Sequence, residues 1–172
     1  MSQRLARCLL PAVVLLAACA QADDRLDRSR AIVDQFQREL GGELRAAMSE
    51  GGPVAAIAVC SERAPAIAAQ ASAAAGARVS RTALRVRNPD NAPDTQAAAV
   101  LRAFQEAVAA GADLPLEHAE ARPDGGLRFM RAIVLEPLCA TCHGATLAPE
   151  IEAAVALINS LSHTATGAVP RT

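Results

Sequence analysis

Five cysteines are spread unevenly over the 172 residues, at Cys8, Cys19, Cys60, Cys139 and Cys142. The last two stand in Cys139-Ala140-Thr141-Cys142-His143, a C-x-x-C-H run with the spacing of covalent haem attachment. Two thiols so spaced reach the two vinyl groups along one porphyrin edge, and the adjoining His143 comes under the iron as proximal imidazole ligand. With this many Cys and His in a chain of this length, such a run arises by chance only roughly 0.003 times. A redox disulfide would sit at a helix start in a βαβ context and does not need the histidine. A zinc site would need a second close Cys or His pair, which is missing. The cofactor expected is therefore one covalent haem c. Its second axial position has five candidates, Cys60, Met130, Met48, His118 and His163, among which composition alone does not choose.

The other cysteines fall near the N-terminus. Arg4 and Arg7 precede an apolar run from Cys8 to Ala18, shorter than the roughly 20 residues of a membrane-spanning helix, and small residues follow. This is the pattern of a secretory leader. Leu16-Ala17-Ala18-Cys19 further resembles a bacterial lipobox, which expects cleavage of residues 1–18 and lipidation of Cys19; cleavage after Ala20 or Ala22 is the alternative. The expected protein is exported to the periplasm and anchored to the membrane by lipid. Residues 19–30 then read as a polar tether, and residues 31–172 as the domain.

The elements that must position the chemistry follow from periodicity. Ile32, Phe36, Leu40, Leu44 and Met48 recur every four residues and draw a stripe along one helix, which Gly41-Gly42 would weaken and Gly51-Gly52 should end. Pro53 suits the first position of a new helix through Ile57 and Cys60. Pro65 interrupts it, and the Ala-rich continuation stops at Gly76. Arg78 to Arg87 alternates Arg with apolar and β-branched residues and predicts a strand with one wet face. Arg81, Arg85 and Arg87 would share that face, as haem propionate partners or simply as solvated charges. A turn-rich run leads to Asp94, a cap for a helix through Ala97, Leu101, Phe104 and Val108. A looser segment with His118 precedes the turn Pro123-Asp124-Gly125-Gly126. Leu127 to Leu135 predicts a second strand, and Pro149 opens a last helix through Ile151, Val155, Ile158 and Leu161. Long helices beside few strands make an α+β domain.

Composition narrows the classes further. Hydrophobic residues make up 52% of the chain but aromatics only 2%, with no Trp or Tyr. Alanine supplies much of that fraction, so the core is short of large side chains, and a porphyrin would fill it. The formal charge is −1, and every basic residue is Arg. With no basic excess to neutralise phosphates, nucleic acid is not an expected partner. No distal acid–base pair is evident for a peroxidase or a small-oxyanion reductase, so no enzyme activity is expected.

Three blocks together resemble a known family: Gly52 to Cys60, Arg81-Thr82-Ala83-Leu84-Arg85-Val86-Arg87-Asn88-Pro89-Asp90-Asn91-Ala92-Pro93-Asp94, and Cys139 to Gly144. They are similar to the single-haem c-type cytochrome domains of the cyanobacterial soluble cytochrome type, over residues 30 to 165. The resemblance implies a PAS-like fold, a small antiparallel sheet and helices enclosing the haem. It also implies that Cys60 is the thiolate axial ligand opposite His143, with electron transfer or redox sensing as the function. The alternative it leaves is a gas or redox sensor signalling through a separate partner. The resemblance also implies a last strand after the final helix, which the segment Ala165 to Thr172 is not expected to supply. The redox partner protein and the oligomeric state stay open.

Overall fold

The computed structural model describes residues 10–144 and 146–165, with side chains described over 24–144 and 146–157. The order is α1 (Leu10–Ala58), a π-helical turn (Val59–Arg63), α2 (Ala64–Ala75), a 3-10 turn (Pro89–Asn91), α3 (Thr95–Ala109), β1 (Glu117–Ala121), β2 (Leu127–Arg131), α4 (Pro137–His143) and α5 (Pro149–Ala165). Among the described residues five helices beside a two-stranded antiparallel sheet form the expected α+β class. Among the described residues no helix is long and apolar enough to cross a membrane. The leader expectation rests partly on residues 1–9, and the Cys19 and His163 side chains also lie outside the described residues.

Helix α1 runs through Gly41-Gly42 without a break and is interrupted at Gly52, whose φ of 70° and ψ of −167° are non-helical. That conformation is open essentially to glycine alone. Pro53 restarts the helix in a position where its missing N–H costs nothing. Phe36 on the predicted stripe is buried with Ala56, Ile57, Val59, Ala64, Ile67, Ala97, Val100 and Ile151. These small and branched side chains let α1 and α2 approach closely, while α5 and α4 also pack on α1. Gly76 ends α2 in the left-handed region, and Asp94 caps α3 by accepting the Ala97 N–H at 2.7 Å, both as expected.

The sheet corrects two expectations. Arg78 to Arg87 is not a strand: it runs without regular structure from α2 to the 3-10 turn, and among the described residues no edge pairs with it. The strand at Glu117–Ala121 lies instead in the segment read as loose, pairing with β2 in the register Glu117 to Arg131 through Ala121 to Leu127. Its sequence, Glu-His-Ala-Glu-Ala, carries no β-branched residue, so propensity hid it. The Pro123-Asp124-Gly125-Gly126 turn does close a hairpin, with Gly125 at φ 79° and Gly126 donating to Asp124 Oδ1 at 2.9 Å. Strand β2 ends at Arg131, and Ile133, Val134 and Leu135 continue as an exposed apolar connection.

Ion pairs tie the hairpin to α1. Glu117 accepts from Arg30 Nε and Arg131 Nε, each at 2.9 Å, and Arg131 also reaches Asp34. Arg25 donates to the Gly125 carbonyl at 3.1 Å, and Arg28 to that of Ala75 at 3.0 Å. The docked part of α1 therefore begins no later than Arg25, inside the stretch read as a tether.

Candidate functional site

Three thiols and one imidazole are carried by α4 and by the π-turn that follows α1, with Cys60 within electrostatic reach of the two α4 thiols. Pro137 starts α4 at its first position, and the helix lasts just long enough to carry Cys139, Cys142 and His143. Positions i, i+3 and i+4 share one helix face, so the C-x-x-C-H spacing aligns both sulfurs and the ring. Gly144 closes the turn with its N–H on the Ala140 carbonyl at 2.8 Å. A Cβ on Gly144 would sit 2.5 Å from that same oxygen, so the position has room only for glycine.

Cys60 comes from a different irregularity. Pro65 has no N–H, so a regular α-helix there would leave the Ser61 carbonyl without a donor. The chain widens into a π-turn over Val59–Arg63, in which the Ala64 N–H reaches back to the Val59 carbonyl. Such turns often occur at functional positions. Arg63 fixes this one to α1 by a fork onto Glu43, with contacts of 2.8 and 2.7 Å. Cys60, Cys139 and Cys142 are all free and half-buried.

The electrostatics show which groups are neighbours. Burial pushes the Cys60 thiol up; Arg81 and Arg87 pull it down, and Cys142 and Cys139 push it further up. Burial likewise raises Cys142, against Arg87. The His143 ring keeps a face to water, yet the protein around it lowers its pKa, followed by Arg87 and Arg81. At neutral pH the imidazole is therefore held in the uncharged form that binds a metal.

Other candidates sit on α1 and on the hairpin. Met48 is half-buried on α1, and Met130 lies on β2 opposite His118, whose ring contacts Glu120 at 3.2 Å. Cys60 is close enough to Cys142 and Cys139 for their charges to act on its thiol. Of the three arginines, Arg81 donates to the Cys60 carbonyl at 3.1 Å and Arg87 to the Cys142 carbonyl, while Arg85 is exposed. They do not line one strand face, since the strand is not there. Neither the backbone contacts of Arg81 and Arg87 nor the part played by Pro65 was legible in the sequence, although a proline five residues after a cysteine on an apolar helix was a usable signal. A cleft of about 290 Å³ between α1 and α2, lined by Ile32, Phe36, Glu39, Gln70 and Ala71 among others, contains none of these residues.

Among the described residues no three His, Cys, Asp or Glu side chains converge as around a bare metal ion. Two thiols and an imidazole on one helix face are a donor set whose chemistry fits a haem. An α+β domain with this helix and a third thiol beside it has the character of a cytochrome-like, haem-binding domain. The chain belongs to the Tll0287-like family, whose model matches residues 16–159, in agreement with the c-type cytochrome resemblance carried by its motifs. No curated protein and no solved structure matches it significantly.

Proposed function

We propose that the protein is an exported single-haem c-type cytochrome that carries electrons or senses redox state. Cys139 and Cys142 would hold the haem by thioethers, and His143 and Cys60 would be its axial ligands. The observation that carries this reading is a free, half-buried Cys60 on a π-turn, within electrostatic reach of the thiols of the Cys139–His143 helix. When bound, the haem supplies a one-electron couple. The protein's part is to hold the two sulfurs and a neutral imidazole on α4 and to keep a half-buried thiol within electrostatic reach of them. A thiolate ligand stabilises the oxidised iron, so a low potential is expected. Arg85, exposed and without a partner among the described residues, is available to a propionate, as is the Nη1 of Arg81 and of Arg87, whose Nη2 atoms hold the carbonyls. The leader and Cys19 support a periplasmic location with a lipid anchor, where such attachment takes place.

The reading is tested by maturing the chain with haem-attachment machinery and recording a pyridine haemochrome spectrum; no covalent haem would overturn it. Electron paramagnetic resonance of the oxidised protein, with and without Cys60→Ala, tests the ligand, and an unchanged low-spin signal would remove Cys60. A sensor reading is favoured by one observation, that burial favours the neutral thiol of Cys60, a weak ligand. Carbon monoxide titration of the reduced protein separates the two, because a pure carrier stays unresponsive.

A further inference from the structure

The two carbonyl oxygens that flank the site are both orphans of helix geometry, and both are satisfied from one loop. In the π-turn the donor for the Cys60 carbonyl would be residue 65, which is proline and has no N–H. The Ala64 N–H, its donor in an α-helix, is already engaged with Val59. Arg81 fills the gap at 3.1 Å. On the other side, the Cys142 carbonyl lies in the last turn of α4, where helix carbonyls have no donor of their own. Arg87 fills that one. The loop between them has no regular structure of its own, so these contacts reach from it to both elements that carry candidate ligands.

We propose that Arg81 and Arg87 are a pair of positioning residues, a clamp that holds the Cys60 turn and the Cys139–His143 helix at a fixed separation and keeps two positive charges beside the site. The charges follow from the same contacts: each guanidinium that holds a carbonyl is thereby fixed next to the Cys60 thiol and the His143 ring, and both groups feel both arginines. Fixed positive charge near a redox centre favours the form with one electron more. The clamp thus opposes the lowering of potential that a thiolate ligand brings. The redox part of this inference rests on the cytochrome reading; the clamping part does not.

The experiment uses the full chain in two states. In the haem-free protein, hydrogen exchange is followed at amides 60–64 and 140–144 in the wild type, Arg81→Gln and Arg87→Gln. Loss of a charge-assisted hydrogen bond should speed exchange about tenfold, around Cys60 for the first variant and around Cys142 for the second. A Pro65→Ala background supplies an N–H at residue 65, so there Arg81→Gln should lose most of its effect while Arg87→Gln keeps it. In the haem-loaded protein both Gln variants should move the potential to more negative values, and Arg→Lys, which retains charge without the planar fork, should restore most of it. A tenfold change in the oxidised to reduced ratio corresponds to 59 mV for one electron. Unchanged exchange in both segments overturns the clamp, and so does a potential that the Gln and Lys variants shift equally. If the wild type takes up no covalent haem while exchange changes as stated, the clamp stands and the cytochrome reading falls.

Discussion

Asp94 and Arg128 meet fork to fork, with Arg128 Nη1 on Oδ1 at 3.0 Å and Nη2 on Oδ2 at 2.7 Å. The same Asp94 carboxylate caps α3 through the Ala97 N–H, so one side chain joins the start of a helix to strand β2. Such a two-pronged pair adds direction as well as attraction.

Acid should loosen this joint. The Ala97 N–H, then Arg128, hold the Asp94 carboxyl below the usual carboxylate range. A folded-state value below the unfolded one, about 3.9, means that the contribution is fully present above that pH and lost as pH falls through the folded value. Asp94→Asn keeps a capping oxygen but removes the charge. Its urea midpoint should therefore fall less steeply than the wild type's below about pH 4. Parallel curves for the two proteins would contradict the assignment.

The two fully buried isoleucines should be the costliest core positions. Ile67 on α2 is 0% exposed and Ile151 on α5 is 1% exposed. Truncation to alanine leaves a cavity in each case, with an expected loss of about 2–5 kcal/mol measured by denaturant unfolding. Ile151→Ala should also detach α5 first, seen as early exchange of its amides.

Two glycines on α1 should respond in opposite ways. Gly52 has φ 70° and ψ −167°, and alanine there costs about 1–3 kcal/mol of strain. It also re-aims the segment Pro53–Ala58 that leads into Cys60, so the loaded protein's low-spin resonance should change. Gly42 sits in the helix interior with nothing within 4 Å of a Cβ placed on it. Gly42→Ala should stabilise by about 0.5–1 kcal/mol and leave the resonance as it is.

If Cys60 is the second axial ligand, Cys60→Met should raise the reduction potential, since a thioether donates less charge to the oxidised iron than a thiolate. Potentiometry reads this directly. A potential equal to the wild type's would place the ligand elsewhere.

Short-range chemistry was legible along the chain. The C-x-x-C-H face, the Asp94 cap, the Gly76 stop and the hairpin turn each depend on residues within a few positions of one another, so spacing alone specifies them. The Cys60 assignment needed the family resemblance, because an isolated thiol on an apolar helix reads equally as core. Arg78–Arg87 was misread for a physical reason: alternation marks a strand only when an edge is there to pair with it, and no local signal shows that edge. β1 was missed for the converse reason, since its Glu-rich sequence becomes a strand through Arg30, Arg128, Arg131 and the partner strand.

By itself, then, the sequence determined the spacing that sets two thiols and an imidazole on one helix face, and the class of domain that carries them. The tertiary structure alone decided what surrounds them. Whether Cys60 lies near Cys142, and whether arginines 81 and 87 hold a surface strand face or two orphan carbonyls, depends on contacts between residues 21 and 55 positions apart. Helical and turn signals decay over a few residues, whereas such contacts form only once burial of Phe36, Ile57, Ile67 and Ile151 has folded the chain back on itself.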